Sequence, residues 1–290
     1  MNIGIVGAEN SHTAAIAKVI NIDKKVRGAK VTHVWGESAK FAREAAEKGQ
    51  IETIVKDPTD LIGQVDAAVV DHRHGKFHLP AVAPLLEEKI PLFVDKPFCY
   101  RLTEGRKFLA RAAELGVPVC SFSTLPKQAS FKAFKSAAGK LGPLQALVAT
   151  GPCDIHSKWG GIFFYGIHQV DMVLRVAGYN VRWAQVVKGT KKNHSALLSY
   201  ADGTQICMNL VGGGVRAAFH LSAIGEKGRL DQAITSDESS YLTGIREFCS
   251  MFRTGKTKET VQTMLGPVAV LQALEKSVAS GKRVKVAAVE

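Results

Sequence analysis

Cysteine is scarce in this sequence, and its spacing argues against two common kinds of stabilisation. Only five of the 290 residues are cysteine, an odd number, and none forms a C-x-x-C pair. We therefore expect no disulfide framework and no zinc site, and a reducing cytoplasm is the simplest setting. The five positions are Cys99, Cys120, Cys153, Cys207 and Cys249.

Long apolar runs are also missing. No stretch approaches the roughly 20 apolar residues that a membrane helix needs. The first residues, MNIGIVGAENSH, have no basic segment followed by an apolar one, so they do not resemble a signal peptide. We expect no membrane-spanning segment, and we predict that the chain begins with a strand and a turn.

Positive charge is in excess, but no segment concentrates it. The formal net charge is +12, the basic residues are scattered, and the densest short run covers 188–192. Neither a helix-turn-helix pattern nor an aromatic-basic RNA motif is present. We therefore predict no nucleic-acid partner, and the charge favours anionic small molecules such as a dinucleotide or a sugar acid.

Strands and helices alternate over the first 122 residues. Short apolar strands are predicted at 2–6, 30–35, 65–72, 91–97 and 117–122, and helices at 12–21, 38–48, 79–89 and 103–116. Strands that alternate with helices of this length indicate βαβ units and a parallel sheet. The predicted fold class is therefore α/β, beginning with a doubly wound Rossmann domain whose ligand crevice lies at the carboxyl ends of the strands.

The pattern changes near residue 123. After a helix at 127–139, strands of alternating character follow, including a hairpin at 197–210 with Asp202-Gly203 at its turn and a strand–turn–strand at 218–230. Further helices are predicted at 241–253 and 260–279. We predict two domains, a dinucleotide-binding domain at 1–122 and a substrate-binding α+β domain at 123–290 with a mostly antiparallel sheet.

The turn after the first strand differs from the G-x-G-x-x-G/A pattern that brings backbone N–H groups to a pyrophosphate. Glu9 replaces the second glycine, and a carboxylate about 5 Å from a phosphate costs on the order of 3 kcal/mol, unless Glu9 turns away or meets a cation. The alternative is a nucleotide fold that no longer binds its nucleotide. The predicted cofactor turn is Gly7, Ala8, Glu9, Asn10, Ser11 and His12.

The second strand ends in Trp35-Gly36-Glu37. An acid at this point usually binds the adenine ribose hydroxyls. Glu37 would do so from one position late, which favours NAD, with NADP as the alternative cofactor. The other interpretation is a solvent-facing glutamate at the start of a helix.

The strongest local signal is Asp95-Lys96-Pro97 at the end of a buried strand. A lysine at this edge of the sheet can hydrogen-bond a substrate hydroxyl and exchange a proton with it. Pro97 makes the turn rigid and is a candidate for a cis bond. The alternative is a surface lysine paired with Asp95.

Asp71 and His72 end another predicted strand, in the segment Asp71-His72-Arg73-His74, and His78 follows at the start of a helix. Histidines near a carboxylate can bind a metal, but this spacing matches no recognised zinc pattern. We predict no metal site and assign Asp71 and His72 to the cofactor crevice.

In the second domain, His168 and Asp171 lie three residues apart and share a helix face. Such a pair is a plausible proton-transfer unit, or a histidine that Asp171 merely holds in place. We expect Lys158, Trp159 and Tyr165 to shape the substrate pocket, and Trp159 suits either stacking on a sugar ring or a place in the core.

Together these motifs resemble the Gfo/Idh/MocA oxidoreductase family, which includes glucose–fructose oxidoreductase and inositol dehydrogenase, over essentially the whole chain. Asp95-Lys96-Pro97 is similar to the family's Glu-Lys-Pro motif, and His78 to its helix-opening histidine. Gly166-x-His168-x-x-Asp171 resembles the second-domain motif. The ending Ser277-x-x-x-Gly281-Lys282-x-Val284 resembles the family's usual C-terminus.

The resemblance implies an NAD(P)-dependent oxidoreductase that moves a hydride to or from a sugar, cyclitol or related polyol. Lys96 would contact cofactor and substrate, and His168 would act as acid/base or orient the substrate hydroxyl. It also implies a homodimer or homotetramer formed through the second-domain sheet. Many active members have an aspartate where this chain has Phe164, so the alternative is a non-catalytic ligand-sensing or binding protein on the same fold.

Overall fold

The computed structural model describes residues 1–213 and 218–289. The chain divides into two compact units, and each contains segments from separate parts of the sequence. The first unit comprises Met1–Cys99, Thr103–Phe122 and Tyr241–Thr260. The second comprises Tyr100–Leu102, Ser123–Ser240 and Val261–Glu290.

The first unit is built on a six-stranded parallel sheet. Its strand order is β3-β2-β1-β4-β5-β6, the doubly wound arrangement predicted from the sequence. Buried aliphatic residues fill the central strands because helices cover both faces of such a sheet. The strands are β1 (Asn2–Val6), β2 (Lys30–Trp35), β3 (Thr53–Ile54), β4 (Ala67–Val70), β5 (Leu92–Val94) and β6 (Val119–Cys120).

The crossover helices lie close to their predicted positions. Helix α1 (Ser11–Ala17) continues into a π-helical turn, Lys18–Ile22, and helix α2 (Ala39–Gly49) begins at the predicted N-cap Ser38, whose hydroxyl accepts the N–H of Phe41. Helices α3 (His78–Glu87) and α4 (Leu102–Leu115) complete the alternation.

One later helix belongs to the first unit. The chain therefore comes back to the first unit after residue 240, which the two contiguous domains predicted at 1–122 and 123–290 do not include. Residues 241–260, assigned by sequence to the second domain, contain α7 (Leu242–Thr254) and belong to the first unit. The reason is apolar packing, because the ring of Phe248 stacks on that of Phe93 with centroids 4.6 Å apart. Ile245 and Cys249 are buried in the same core.

The second unit is built on a mixed seven-stranded sheet in the order β12-β11-β7-β10-β9-β8-β13. All pairings are antiparallel except that of β7 with β10, which agrees with the predicted α+β class. The strands are β7 (Leu144–Pro152), β8 (Val181–Lys188), β9 (Asn193–Tyr200), β10 (Gln205–Val211), β11 (Phe219–Gly225), β12 (Gly228–Ile234) and β13 (Val284–Lys285).

Three helices accompany this sheet: α5 (Ala129–Ala138), α6 (Ile162–Ala177) and α8 (Val261–Ser280). Helix α6 carries the predicted His168 and Asp171. The predicted hairpin is confirmed, with β9 and β10 joined at Asp202-Gly203. Within the described ranges, no helix has both the length and the apolarity needed to cross a membrane.

Candidate active site

The predicted cofactor turn joins β1 to α1 at the carboxyl edge of the first sheet. Gly7 has a φ of 109°, and a Cβ on it would lie 2.7 Å from the backbone carbon of Asp71. Glycine is therefore required here both for the conformation and for the close approach to β4. Asn10 caps α1, its side chain accepting the N–H of His12.

Glu37 lies against this turn. Its Oε2 atom accepts the N–H groups of Ala8 at 2.8 Å and of Glu9 at 2.9 Å. Since Glu37 follows β2, this contact brings the predicted ribose-binding acid to the predicted cofactor turn. The contact also means that an internal carboxylate already binds two of the turn's amides.

Behind the turn lies a buried polar cluster that the sequence patterns did not predict. Asp71 is fully buried at the end of β4, and its Oδ1 accepts the Asn10 amide at 2.8 Å. His12 Nδ1 lies 3.1 Å from Asp95 Oδ2. The side chains of Asn10 and His12 thus contact the two acids Asp71 and Asp95.

The protonation of these two acids differs. Burial and the neighbouring Asp95 charge raise the pKa of Asp71 well above its ordinary value. Although burial opposes it, the charges of Lys96 and His12 hold the pKa of Asp95 below its usual range. The pKa values of the two neighbouring acids are therefore shifted in opposite directions.

His12, Asp71 and Asp95 bring a ring nitrogen and carboxylate oxygens within 4.8 Å of one another, a spacing at which a cation can be held. Lys96 and the Asn10 amide already supply a positive charge and donor hydrogens to these oxygens. The structure therefore assigns the group as a hydrogen-bonded cluster of the protein's own side chains.

Lys96 lies at the end of β5, as predicted. It is only 8% exposed, and its Nζ is 3.4 Å from Asp95 Oδ2. The Lys96–Pro97 bond is cis. The imidazole of His78 bridges two turns, with Nδ1 at 2.9 Å from the Pro97 carbonyl and Nε2 at 2.8 Å from the His72 carbonyl.

His72 is a buried neutral histidine. Burial, aided by the nearby His78, lowers the pKa of His72 to about 3. Its ring packs near those of Trp35 at 5.7 Å and Phe77 at 6.1 Å. Among the described residues its Nδ1 is buried and has no hydrogen-bond partner.

In the second unit, His168 is buried on α6 and contacts a serine that the sequence analysis did not identify. Its Nδ1 lies 2.8 Å from the hydroxyl of Ser123. The N–H of Ser123 donates to Asp171 Oδ2 at 3.3 Å, and Arg175 donates to Asp171 Oδ1 at 2.7 Å. Ser123 thus links the two predicted residues. Its position directly after the strand predicted at 117–122 is the signal that could have identified it.

Aromatic rings surround His168. Tyr165 and Phe219 lie edge-on to its ring at 5.6 and 5.7 Å. Phe164, in the place of the family's aspartate, lies 5.1 Å from the ring of Tyr165 and 6.4 Å from that of Trp159. Lys158 is exposed, with its Nζ 4.6 Å from the indole of Trp159.

Comparison with known proteins relates the first domain to a family. Residues 1–122 match the Gfo/Idh/MocA model, described as an oxidoreductase family with an NAD-binding Rossmann fold. No curated protein matches the sequence.

Solved dehydrogenases have a similar fold along the whole chain. The scyllo-inositol dehydrogenase of Lactobacillus casei, with bound NAD(H) and scyllo-inositol, gives a TM-score of 0.85 at 16% identity over 99% of both chains. A myo-inositol 2-dehydrogenase of Lactobacillus plantarum gives 0.85 at 14% over 99% of both. A probable dehydrogenase of Thermotoga maritima gives 0.82 at 18%, again over 99% of both. At such identities the likeness shows the fold.

Proposed function

Because residues 1–122 belong to the Gfo/Idh/MocA family of NAD-binding oxidoreductases, we propose that this protein is an NAD-dependent dehydrogenase of a sugar, cyclitol or related polyol. The observation that carries the proposal is Lys96, a buried lysine at the carboxyl end of β5, held between Asp95 and a cis-proline. The inositol dehydrogenases of the same fold make cyclitols the first substrates to test.

The residues of the first unit suit an adenine dinucleotide. Glu37 offers its second carboxylate oxygen to the adenine ribose. The backbone N–H groups of Asn10 and Ser11 lie at the start of α1, where the pyrophosphate would bind. His72 contributes a buried ring nitrogen at the same edge. NAD, once bound, supplies the hydride acceptor. The glutamate carboxylate disfavours the additional phosphate of NADP.

Two side chains are assigned to the substrate. Lys96 hydrogen-bonds the reacting hydroxyl and receives or returns its proton. His168 orients the hydroxyl or shares the proton transfer, its ring fixed by Ser123. We propose that four further residues of the second unit bind the substrate: Lys158, Trp159, Tyr165 and Asp171.

Titration of NAD(H) and NADP(H) by calorimetry, followed by a spectrophotometric screen of cyclitols and sugars, tests this function. If neither NAD(H) nor NADP(H) binds at millimolar concentration, the proposed function is rejected. In an active protein, Lys96→Met should lower kcat by about 100-fold or more, the scale of a positioned acid/base. The exposed Lys107→Met, which removes the same charge from the first unit, is the matched control.

A second candidate, a non-catalytic ligand sensor on the same fold, is favoured by one contact. The Glu37 carboxylate already binds the Ala8 and Glu9 amides, so a dinucleotide meets a negative charge at its own turn. This alternative predicts that a sugar or cyclitol raises the Tm without turnover. Hydride transfer between the dinucleotide and any member of the panel would contradict it.

A homodimer or homotetramer through the second sheet is also part of the proposal. The exposed apolar residues Trp183, Val187, Leu197 and Ile224 alternate with buried ones along β8, β9 and β11. Sedimentation equilibrium should give a multiple of the chain mass, and Leu197→Glu should reduce it.

A cytoplasmic location is proposed because none of the five cysteines, all in the described part, forms a disulfide.

A further inference from the structure

The buried cluster behind the cofactor turn contains two acids, yet its hydrogen bonds can be completed only when one of them is protonated. The Thr13 hydroxyl oxygen lies 2.9 Å from the Gly7 carbonyl and 2.6 Å from Asp71 Oδ2. A hydroxyl has one hydrogen, and a carbonyl can only accept. Both contacts are satisfied when Thr13 donates to Gly7 and a protonated Asp71 donates to Thr13.

The other oxygen of Asp71 agrees with this assignment. Oδ1 accepts the Asn10 amide at 2.8 Å, as the carbonyl oxygen of a neutral acid would. Asp71 and Thr13 are both fully buried, so water does not supply a missing hydrogen. An ionised Asp71 would leave two oxygens in contact with no proton between them.

Asp95 has the opposite surroundings, because two donors and a histidine ring nitrogen converge on its Oδ2. The Asn10 amide lies 3.3 Å away, His12 Nδ1 3.1 Å and Lys96 Nζ 3.4 Å. An oxygen that receives the Asn10 amide and Lys96, and a third donor when His12 carries its hydrogen on Nδ1, suits a carboxylate. The orientation of the Asp95 carboxylate relative to Lys96 therefore depends on the other two contacts.

We propose that Asp71, as a neutral carboxylic acid, and His12 are positioning residues that fix the Asp95 carboxylate and, through it, the side-chain nitrogen of Lys96. Asp71 holds the Asn10 amide between the two acids, and His12 holds Asp95 Oδ2. His12 stands where a dinucleotide turn has a small residue. Its ring supplies the contact with Asp95, which a small side chain would not make. The other titratable groups facing the cluster are His78 and Tyr241, the latter with its ring 5.1 Å from that of His12. The importance of Lys96 for turnover rests on the proposed function, but the protonation of Asp71 does not.

Infrared spectroscopy of the protein without cofactor tests the proton directly. Protein labelled with ¹³C-aspartate should show the carbonyl stretch of a protonated carboxyl group at neutral pH, and Asp71→Asn should lose it. Absence of this band from the wild type at neutral pH, or its persistence in folded Asp71→Asn, would overturn the assignment. The wild-type measurement needs no variant, so it stands even if Asp71→Asn does not fold.

Labelling of Lys96 tests the positioning. Acetylation by acetic anhydride, measured by peptide mass spectrometry, should be at least about tenfold faster at Lys96 in His12→Ala, the scale of one hydrogen bond to a charged group. His12→Asn, whose amide nitrogen replaces Nδ1, should restore the wild-type rate. Exposed Lys107 serves as the internal reference. Equal rates in wild type and His12→Ala, or equal acceleration in both variants, would reject the role of His12.

Kinetics provide the link to function. In an active protein, His12→Ala should lower kcat by about tenfold with the polyol KM nearly unchanged, and His12→Asn should recover it. A wild type that shows the labelling pattern but no turnover would reject the proposed dehydrogenase and leave the positioning intact. A turning-over enzyme whose His12→Ala variant keeps full kcat would reject the positioning alone.

Discussion

Removing the carboxylate of Glu37 distinguishes the two functions proposed for this fold. Glu37 is exposed, and only one of its oxygens is bound to the Ala8 and Glu9 amides. If the other oxygen binds the adenine ribose, Glu37→Ala loses a hydrogen bond to a charged group, about 1.5–3 kcal/mol. The Kd for NAD should then rise by about 10- to 100-fold.

The opposite result follows if Glu37 instead excludes the cofactor. A carboxylate about 5 Å from a phosphate costs on the order of 3 kcal/mol at an effective dielectric near 20. Its removal would tighten binding by about a hundredfold and would vacate two backbone donors for the pyrophosphate.

Calorimetric titration of NAD and NADP into wild type, Glu37→Gln and Glu37→Ala measures whether the Kd rises or falls. We expect weaker NAD binding and a smaller preference for NAD over NADP. Glu47→Gln, an exposed change of the same charge on α2, is the control for net charge. Tighter NAD binding in Glu37→Ala would refute the ribose role and support the sensor. A Kd unchanged within about twofold would show that neither contact exists in the complex.

Two predictions concern stability. Burial raises the pKa of Asp71 in the folded protein, so its contribution is complete below its unfolded pKa of about 4 and falls by about 1.4 kcal/mol per pH unit as pH rises toward the folded pKa. Relative to wild type, Asp71→Asn should therefore gain stability in urea titrations as the pH rises above about 5, and a difference that stays constant with pH would contradict the raised pKa of Asp71. Phe248→Ala should lower the free energy of unfolding by about 3–5 kcal/mol, because the ring is 2% exposed and stacks on Phe93. Phe77→Ala, at a half-exposed ring, should cost less than about 1 kcal/mol, and equal losses would contradict the packing of α7 in the first unit.

The sequence predicted those features that depend on local patterns. The alternation of strands with helices established the parallel sheet, Ser38 identified a helix start, and Asp202-Gly203 identified a hairpin turn. The sequence also predicted a helix at 241–253, and the structure has α7 at Leu242–Thr254. The sequence did not show which sheet covers that helix, because the partners Phe93 and Phe122 are more than a hundred residues away. That information is carried by packing and not by spacing.

The cluster around Asp71 escaped prediction for a related reason. His12 and Glu9 are departures from a glycine pattern, and a pattern shows only that something is missing. The replacement becomes meaningful when contacts 58 to 85 residues apart in sequence join Thr13 to Asp71 and Asn10 to Asp95. Each of these residues alone is an ordinary polar side chain near a strand end.

These departures compensate one another, and this bears on how the protein binds a ligand. In a glycine-rich turn the backbone N–H groups bind only the phosphate, and the start of the helix adds no side-chain contact. In this chain Glu37 binds the Ala8 and Glu9 amides, and His12 and Asn10 bind acids beneath the turn. The turn is therefore ordered before any ligand arrives, which lowers the entropic cost of binding. The same internal contacts compete with the pyrophosphate. The binding free energy of a dinucleotide is therefore reduced by the free energy of the contacts that it displaces. The balance between these two effects is local to Glu37, whereas the position of Lys96 depends on the Asp95 side of the cluster. Cofactor affinity and the placement of Lys96 should therefore respond to different substitutions, the first at Glu37 and the second at His12.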